Sequence, residues 1–153
     1  MKLYFLRHGE ADWPNWDKPD SQRPLTEDGK KELRRIARFL HKCDFEVDAI
    51  YSSPLPRAAQ TAEIVATEFD MQAAEEKTLA PGFDKAALAR LLVAHPHDKL
   101  LLVGHEPDFG EVIEALTGGA VKMSKAGLAR VDLLPGSLHG YLVWLLPPRV
   151  SGS

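Results

Sequence analysis

The chain has 153 residues, which is the size of one domain with a hydrophobic core. Its 19 basic and 22 acidic side chains give a net charge of −3, so the overall charge does not favour nucleic acid or an anionic membrane as a partner. The single cysteine, Cys43, excludes an internal disulfide framework and cysteine-rich zinc motifs. No apolar run is long enough for a signal peptide or a membrane span, so we expect a cytoplasmic protein.

The first half of the chain alternates between strand and helix. Lys2 to Leu6 is an apolar run that ends at Arg7-His8-Gly9, which is typical of a buried strand followed by a loop. After an irregular, proline-rich loop, Thr26 is the predicted N-cap of a helix of about four turns, since acidic residues follow it and apolar residues recur at helical spacing. Ala49 to Ser52 is the second predicted strand, and a second helix begins after Ser53-Pro54.

The second half continues this alternation. Asp84 is the predicted N-cap of a third helix, after a short extended piece at Gln72 to Glu75. Leu100 to Val103 is the most continuous aliphatic run, which indicates a central strand covered on both faces. It leads through Gly104-His105 into a fourth helix that ends at Gly118-Gly119. The last two predicted strands are Leu128 to Leu134 and Tyr141 to Leu146.

This order of elements predicts an α/β fold. Strands that alternate with helices favour a three-layer αβα sandwich, in which helices cover both faces of a mainly parallel mixed sheet. The last two strands supply the antiparallel part. We expect residues 1–148 to form a single domain and residues 149–153 to form a flexible tail.

Three of the predicted strands end in loops that carry basic or imidazole side chains. Arg7 and His8 follow the first strand, Arg57 follows the second, and His105 follows the aliphatic one. In parallel sheets the carboxyl ends of the strands share one edge, where ligand crevices form. Each arginine can donate a fork of hydrogen bonds to phosphate oxygens, and these loops contain no cluster of carboxylates. The pattern therefore predicts a binding site for a phosphoryl group.

Each of these residues also has an ordinary structural explanation. A loop histidine such as His8 often binds only a carbonyl group, Arg57 suits a solvated helix position, and His105 suits a helix end. Their joint placement at three strand ends favours the functional interpretation. His95-Pro96-His97-Asp98 has no partner cluster at ligand spacing, so no metal site is predicted.

Four motifs occur in order along almost the whole chain. They are Leu6-Arg7-His8-Gly9-Glu10, Arg23-Pro24-Leu25-Thr26, Ser52-Ser53-Pro54-Leu55-Pro56-Arg57-Ala58-Ala59-Gln60-Thr61-Ala62 and Val103-Gly104-His105-Glu106-Pro107. This set resembles the motifs of the histidine phosphatase superfamily, whose fold is phosphoglycerate mutase-like. The short length, Arg-His-Gly-x-Ala and Gly-His-Glu-Pro look most like the SixA-type phosphohistidine phosphatases of that superfamily.

The resemblance implies a phosphatase that needs no metal and no cofactor. It implies that His8 is the nucleophile and forms a phosphohistidine intermediate, from which water releases phosphate. Arg7 and Arg57 would disfavour the imidazolium form of His8 and, with His105, stabilise charge on the phosphoryl oxygens. Arg23 is a further candidate for substrate binding, with an ordinary surface position as the alternative.

The chain departs from the family pattern at the general acid. Many members carry an acidic residue in the loop before the third helix, whereas this loop reads Thr78-Leu79-Ala80-Pro81-Gly82. The nearest candidates are Glu75, Glu76 and Glu106, and Glu106 equally suits a helix N-terminus. An imidazole leaving group needs no strong acid, because the pKa of its conjugate acid is about 6.5. The departure therefore favours phosphohistidine as the substrate.

The short spacing between Arg57 and His105 leaves little chain for a lid, which suits a protein-borne phosphate. In the branch that the chain resembles, the implied partner is the phosphorylated histidine phosphotransfer domain of a two-component system. The alternatives are a small phosphate ester as substrate, or a non-catalytic phosphate-recognition module. A basic surface at Lys30-Lys31, Arg34-Arg35 and Arg38 is interpreted as solvated, with docking of an acidic partner as the alternative.

Overall fold

The computed structural model of the protein describes residues 1–152, and within them six strands form one sheet. The strands are β1 (Lys2–Arg7), β2 (Ala49–Ser52), β3 (Ala73–Glu75), β4 (Lys99–Gly104), β5 (Leu128–Leu133) and β6 (Gly140–Leu146). The α-helices are α1 (Glu27–Lys42), α2 (Pro56–Glu68), α3 (Lys85–Ala94) and α4 (Asp108–Thr117). These bounds confirm the strands and helices that the sequence predicts, to within a few residues at each end.

The sheet is mixed, with the strand order β3-β2-β4-β1-β5-β6. Four of its six strands, β1, β2, β3 and β4, pair in parallel. β5 pairs antiparallel with β1, and β6 pairs antiparallel with β5. The mainly parallel mixed sheet of the prediction is thus confirmed, and the carboxyl ends of β1, β2 and β4 lie side by side at one edge.

Helices cover both faces of the sheet. Because side chains alternate along each strand, successive residues of a strand pack against opposite helix layers. Leu3 and Phe5 of β1 belong to the apolar core under α3 and α4. Tyr4 and Leu6 belong to the core under α1 and α2. This arrangement confirms the predicted three-layer αβα sandwich.

The helix ends follow local chemistry. The Thr26 side chain accepts a hydrogen bond from the Gly29 N–H at 3.0 Å, and the Asp84 side chain accepts one from the Ala87 N–H at 2.8 Å, so both predicted N-caps are confirmed. Helix α4 ends at Gly118, whose φ of 81° is the left-handed conformation that glycine adopts without strain. No helix within residues 1–152 combines the length and the apolar character needed to cross a membrane.

The last described residues have local structure. Pro148–Ser151 form a short 3₁₀ helix that contacts α1, and the flexible tail expected from residue 149 stays a prediction. Consecutive prolines at the start of this helix restrict the backbone, and the Ser151 hydroxyl donates a hydrogen bond to the Pro148 carbonyl at 2.8 Å. Ser153 lies outside the described residues.

Candidate active site

A cleft of about 320 Å³ opens where β1, β2 and β4 end. All four residues of the sequence prediction line it, and so does Arg23. The lining residues are Arg7, His8, Asp12, Arg23, Arg57, Pro81, Gly82, His105, Glu106, Pro107, Asp108 and Lys125. The parallel register therefore brings together side chains that lie almost 100 positions apart in the sequence.

His8 is held at the floor of the cleft with only 8% of its surface exposed. Its backbone N–H donates to the Gly104 carbonyl at 3.1 Å, which continues the β1–β4 pairing one residue past β1. The side-chain Nδ1 lies 2.8 Å from the carbonyl oxygen of Gly9. Because a carbonyl can only accept, Nδ1 carries the proton, and the neutral ring keeps a lone pair on Nε2.

The loop that carries His8 is fixed by α2 and α1. The Thr61 hydroxyl accepts a hydrogen bond from the Gly9 N–H at 3.1 Å and donates one to the Arg57 carbonyl at 2.7 Å. Gly29 of α1 packs directly against the backbone of Glu10, where a Cβ atom would collide with the Glu10 carbonyl oxygen. Thr61 and Gly29 thus hold the position of the loop that carries His8.

The two arginines of the prediction approach the same cleft from different elements. The Arg7 Nη1 donates to the Met123 carbonyl at 2.9 Å, which aims the guanidinium across the end of β1. The Arg57 Nη1 donates to the Asp20 carbonyl at 2.9 Å, and its Nη2 lies 3.4 Å from the Asp20 carboxylate. Both side chains line the cleft. Two guanidinium groups at one cleft favour an anionic ligand.

His105 lies opposite His8, with 5.4 Å between the ring centroids. Its Nε2 lies 2.7 Å from the hydroxyl oxygen of Ser53, the residue that follows β2. That oxygen also accepts the Leu55 N–H at 3.3 Å, so the hydroxyl proton can point to Nε2 of His105. Nδ1 of His105 then carries the proton and is available as a donor. Gly104 precedes His105 because a Cβ atom there would overlap the Phe109 ring.

Both imidazoles are neutral at physiological pH. The pKa of His8 is lowered to about 4, mainly by burial; the nearby His105, Arg57 and Arg7 act in the same direction, and the Gly9 hydrogen bond opposes the shift. Burial likewise lowers the pKa of His105 to about 4, with Arg57 and Arg7 acting in the same direction and Asp108 against it. A nucleophilic nitrogen must be unprotonated, and His8 satisfies this condition across the neutral range.

These shifts predict how stability depends on pH. Between about pH 4 and 6.5 the unfolded chain binds more protons at His8 and His105 than the folded protein does, so the free energy of unfolding falls as the pH falls through this window. We expect it to drop by roughly 2–4 kcal/mol between about pH 7 and pH 5. In the His8→Gln/His105→Gln variant the drop is much smaller. Urea unfolding at both pH values measures the free energy of unfolding. An equal decrease in the wild type and the double variant would contradict the lowered pKa values of His8 and His105.

A second prediction concerns Ser53, which we regard as a positioning residue for His105. Ser53→Ala removes the hydroxyl that fixes the His105 tautomer. For the phosphate release expected from the sequence, kcat should fall roughly tenfold, with little change in the unfolding midpoint. Nitrogen NMR of His105 then shows a mixture of tautomers in place of one. A single unchanged tautomer with a lower kcat would contradict the positioning role. Ser137→Ala, on the β5–β6 turn, is the matched control.

The three candidate acids lie in different surroundings. Glu106 lines the cleft, but its carboxylate accepts hydrogen bonds from the Gly110 N–H at 2.6 Å and the Met123 N–H at 3.3 Å. Glu76 lies outside the cleft and pairs with His95 at 2.8 Å. This interaction lowers the pKa of the Glu76 carboxyl. Glu75 is exposed on β3 and is not among the residues that line the cleft. The structure therefore brings only one of the three to the cleft.

Three charged residues of the cleft were not singled out from the sequence. Asp12 forms an ion pair with Lys125, and its carboxylate also lies 3.6 Å from the guanidinium of Arg23. The pKa of Asp12 is lowered, mainly by the hydrogen bond from Lys125. Asp108 accepts a hydrogen bond from the Gly82 N–H at 2.8 Å, across the cleft from the His8 loop. Lys125 follows no motif, so only the folded loop between α4 and β5 reveals its place.

Potential metal ligands are not grouped in this protein. Within residues 1–152, the structure contains no cluster of three or more His, Cys, Asp or Glu side chains that could hold a metal ion. His95, which the sequence places in a His-Pro-His-Asp loop, instead pairs with Glu76 and lies 4.2 Å from the Tyr51 ring, centroid to centroid.

Comparison with known proteins identifies the family of this site. The model of the histidine phosphatase superfamily (branch 1) matches residues 3–80, half of the chain, including the segments that carry Arg7, His8, Arg23 and Arg57. The chain belongs to the histidine phosphatase superfamily. The resemblance inferred from the motifs is confirmed, and so is the phosphoglycerate mutase-like fold that it implies.

Two relatives match over more than four fifths of the chain. Phosphohistidine phosphatase SixA of Escherichia coli (strain K12) is 28% identical over 155 residues, which cover 97% of this chain and 94% of that protein. An uncharacterized protein of Picosynechococcus sp. is 39% identical, with 84% and 82% coverage. The structure of the protein histidine phosphatase SixA complexed with tungstate superimposes with a TM-score of 0.86, 28% identity and 97% coverage of both chains.

Proposed function

We propose that the protein is a metal-independent phosphohistidine phosphatase that transfers the phosphoryl group to His8 and then to water. The substrate we infer is a phosphohistidine on a histidine phosphotransfer domain of a two-component system. The observation that carries this proposal is the neutral His8 ring: its Nδ1 proton is held by the Gly9 carbonyl, and its Nε2 lone pair is left for attack beside two guanidinium groups.

The chemistry follows from these positions. In the first step the Nε2 lone pair of His8 attacks phosphorus, the new N–P bond forms, and the P–N bond to the substrate imidazole breaks. The electron pair of that bond returns to the leaving nitrogen, and the imidazole departs neutral because its other ring nitrogen carries the proton. In the second step a water molecule attacks phosphorus, the electron pair of the bond to Nε2 returns to that nitrogen, and dihydrogen phosphate leaves with both protons of the water. Arg7, Arg57 and His105 donate hydrogen bonds to the phosphoryl oxygens in both steps.

The surroundings of the acidic side chains support an imidazole as the leaving group. Glu106 and Asp108 use carboxylate oxygens to accept backbone N–H bonds, and Asp12 is ion-paired with Lys125. An alkoxide leaving group needs a proton from a strong, available acid, whereas an imidazole leaves with a conjugate-acid pKa of about 6.5. The cleft is thus better suited to phosphoramidate than to phosphate-ester substrates.

The similarity to SixA supports the same substrate class. The related structure holds tungstate, a tetrahedral oxyanion with the shape and charge of phosphate. The Escherichia coli relative is a phosphohistidine phosphatase by name. Together with the three arginines that line the cleft, Arg7, Arg23 and Arg57, this likeness favours a phosphoryl group as the ligand.

The test is phosphate release from a phosphorylated histidine phosphotransfer domain in the presence of EDTA. We expect the wild-type protein to release phosphate at the same rate with and without the chelator. Serine phosphate and sugar phosphates, supplied at the same concentration, should be turned over at least about a hundredfold more slowly. Faster turnover of the small esters would identify an ester phosphatase, and binding of phosphate without release from any substrate would identify a recognition module.

A further inference from the structure

A second cavity lies outside the active-site cleft, in the groove between α1 and α2. Its volume is about 440 Å³. The apolar side chains of Ala37 and Ile64 line it, and the remaining lining is polar or charged. The lining residues are Lys30, Arg34, Ala37, Arg38, Gln60, Glu63, Ile64, Thr67 and Glu68. None of them takes part in the phosphoryl chemistry described above.

One wall of this groove is a row of cations. Lys30, Arg34 and Arg38 are spaced four residues apart on α1, so they lie on one face of the helix. Lys30 pairs with Glu27 at 3.5 Å. Among residues 1–152, neither Arg34 nor Arg38 has a carboxylate oxygen within 4.0 Å. In a chain with a net charge of −3, such a concentration of unpaired positive charge is a local feature that attracts anionic partners.

The opposite wall, on α2, is acidic. Glu63 and Glu68 line it, and Glu68 is already engaged with the ring of His41 at 3.3 Å. The two walls of the groove therefore carry opposite charges, which favours one orientation of a bound segment. A segment with one acidic edge fits with that edge against α1, and the apolar floor accepts small apolar side chains between the walls.

The groove begins close to the active site. Gln60 lies three residues after Arg57 on α2, about 4.5 Å along the helix axis, and Thr67 lies about 15 Å from Arg57. The Gln60 side chain also accepts a hydrogen bond from the Leu25 N–H at 2.9 Å, in the loop next to the cleft. A segment of about ten helical residues that leads to a phosphohistidine in the cleft thus spans the groove.

We propose that this groove, between α1 and α2, binds an acidic segment next to the phosphorylated residue of the protein substrate. The proposal rests on the phosphohistidine phosphatase function. It further specifies that the partner is acidic next to its phosphorylated residue. Arg34 and Arg38 bind the acidic edge of the segment, while His8 receives the phosphoryl group. The groove then selects among phosphoproteins without touching the reacting atoms.

Two phosphohistidine peptides and one small molecule test the proposal. Both peptides carry the same central phosphohistidine with about ten helical residues on each side. In one peptide the exposed flanking positions are Glu, and in the other they are Lys. The small molecule is phosphoimidazole, which has no flank. We expect wild-type kcat/KM to favour the Glu peptide by about tenfold at low salt and to lose this preference as salt screens the charges.

Charge reversal at the groove should remove the preference. In Arg34→Glu/Arg38→Glu we expect the Glu peptide to lose its advantage, while phosphoimidazole turnover stays within about twofold of wild type. Arg34→Gln/Arg38→Gln serves if the reversed protein does not fold. The matched control is Lys85→Glu/Arg90→Glu on α3, on the other face of the sheet, which should keep the preference.

The outcomes separate the two proposals. Equal wild-type turnover of the Glu and Lys peptides, or a preference that persists in the α1 variants, would overturn the docking proposal and leave the phosphatase function standing. If wild type turns over neither phosphoimidazole nor either peptide, the phosphohistidine phosphatase function is wrong, and the docking proposal falls with it. Glu63→Lys adds a third check, because it should raise turnover of the Glu peptide.

Discussion

Replacing His8 by alanine should reduce phosphate release from phosphohistidine by at least about a thousandfold. The reason is that the lone pair on Nε2 of His8 is free for attack, whereas the unprotonated Nε2 of His105 is engaged with the Ser53 hydroxyl at 2.7 Å. Without a nucleophile, the remaining donors can only position the phosphoryl group. Initial rates of phosphate release by the purified variant, at saturating substrate, measure the effect.

The same variant should keep its affinity for phosphate. Arg7, Arg57 and His105 remain in place in His8→Ala, so we expect the dissociation constant of inorganic phosphate to change by less than about fivefold. His139→Ala, which removes an exposed histidine from the β5–β6 turn, is the control for nonspecific effects. A His8→Ala protein that releases phosphate at the wild-type rate would disprove the nucleophile assignment.

The second large effect is expected at Arg57. Arg57→Gln removes a buried guanidinium whose fork of donors has no equal among neutral side chains, so we expect kcat/KM to fall about a hundred- to a thousandfold. Arg57→Lys restores the charge without the fork and should recover no more than about a tenth of the activity. Inhibition by inorganic phosphate should weaken in both variants. Steady-state kinetics with phosphate as inhibitor provide both numbers.

Arg57 also binds Asp20 of the adjoining loop, which supplies a control. Asp20→Asn removes the carboxylate that lies 3.4 Å from Nη2, and the backbone carbonyl of residue 20 still accepts from Nη1. If Arg57 acted only by holding this loop, Asp20→Asn would impair turnover as well. We expect it to bind phosphate more tightly than wild type, because one competing anion is gone. An Arg57→Gln variant with wild-type kinetics would contradict a role in binding the phosphoryl group.

Much of this architecture was predictable because its causes are local. Thr26 and Asp84 cap helices through hydrogen bonds that span three residues, and Gly118 ends α4 through its own backbone conformation. The meeting of His8 and His105 was predictable from one general rule, since parallel strands bring their carboxyl ends to a common edge.

The parts that escaped prediction depend on loop paths. Lys125 reaches Asp12 across 113 positions, and nothing in either local sequence indicates the pairing. Glu106 follows the Gly-His motif, and the sequence therefore makes it a candidate acid, but its carboxylate accepts hydrogen bonds from the N–H groups of Gly110 and Met123. Glu76 was a candidate by proximity in sequence, and its ion pair with His95 appears only when α3 is packed.

The most direct test of the account is to trap the phosphorylated enzyme. A short incubation with radiolabelled phosphohistidine substrate, an alkaline quench and peptide mass spectrometry locate any covalent phosphate. We predict one labelled site, His8, phosphorylated on Nε2 and losing its phosphate in acid while surviving in alkali, as a P–N bond does. Turnover without a labelled protein, or a label on any residue other than His8, would contradict catalysis through a His8 phosphohistidine.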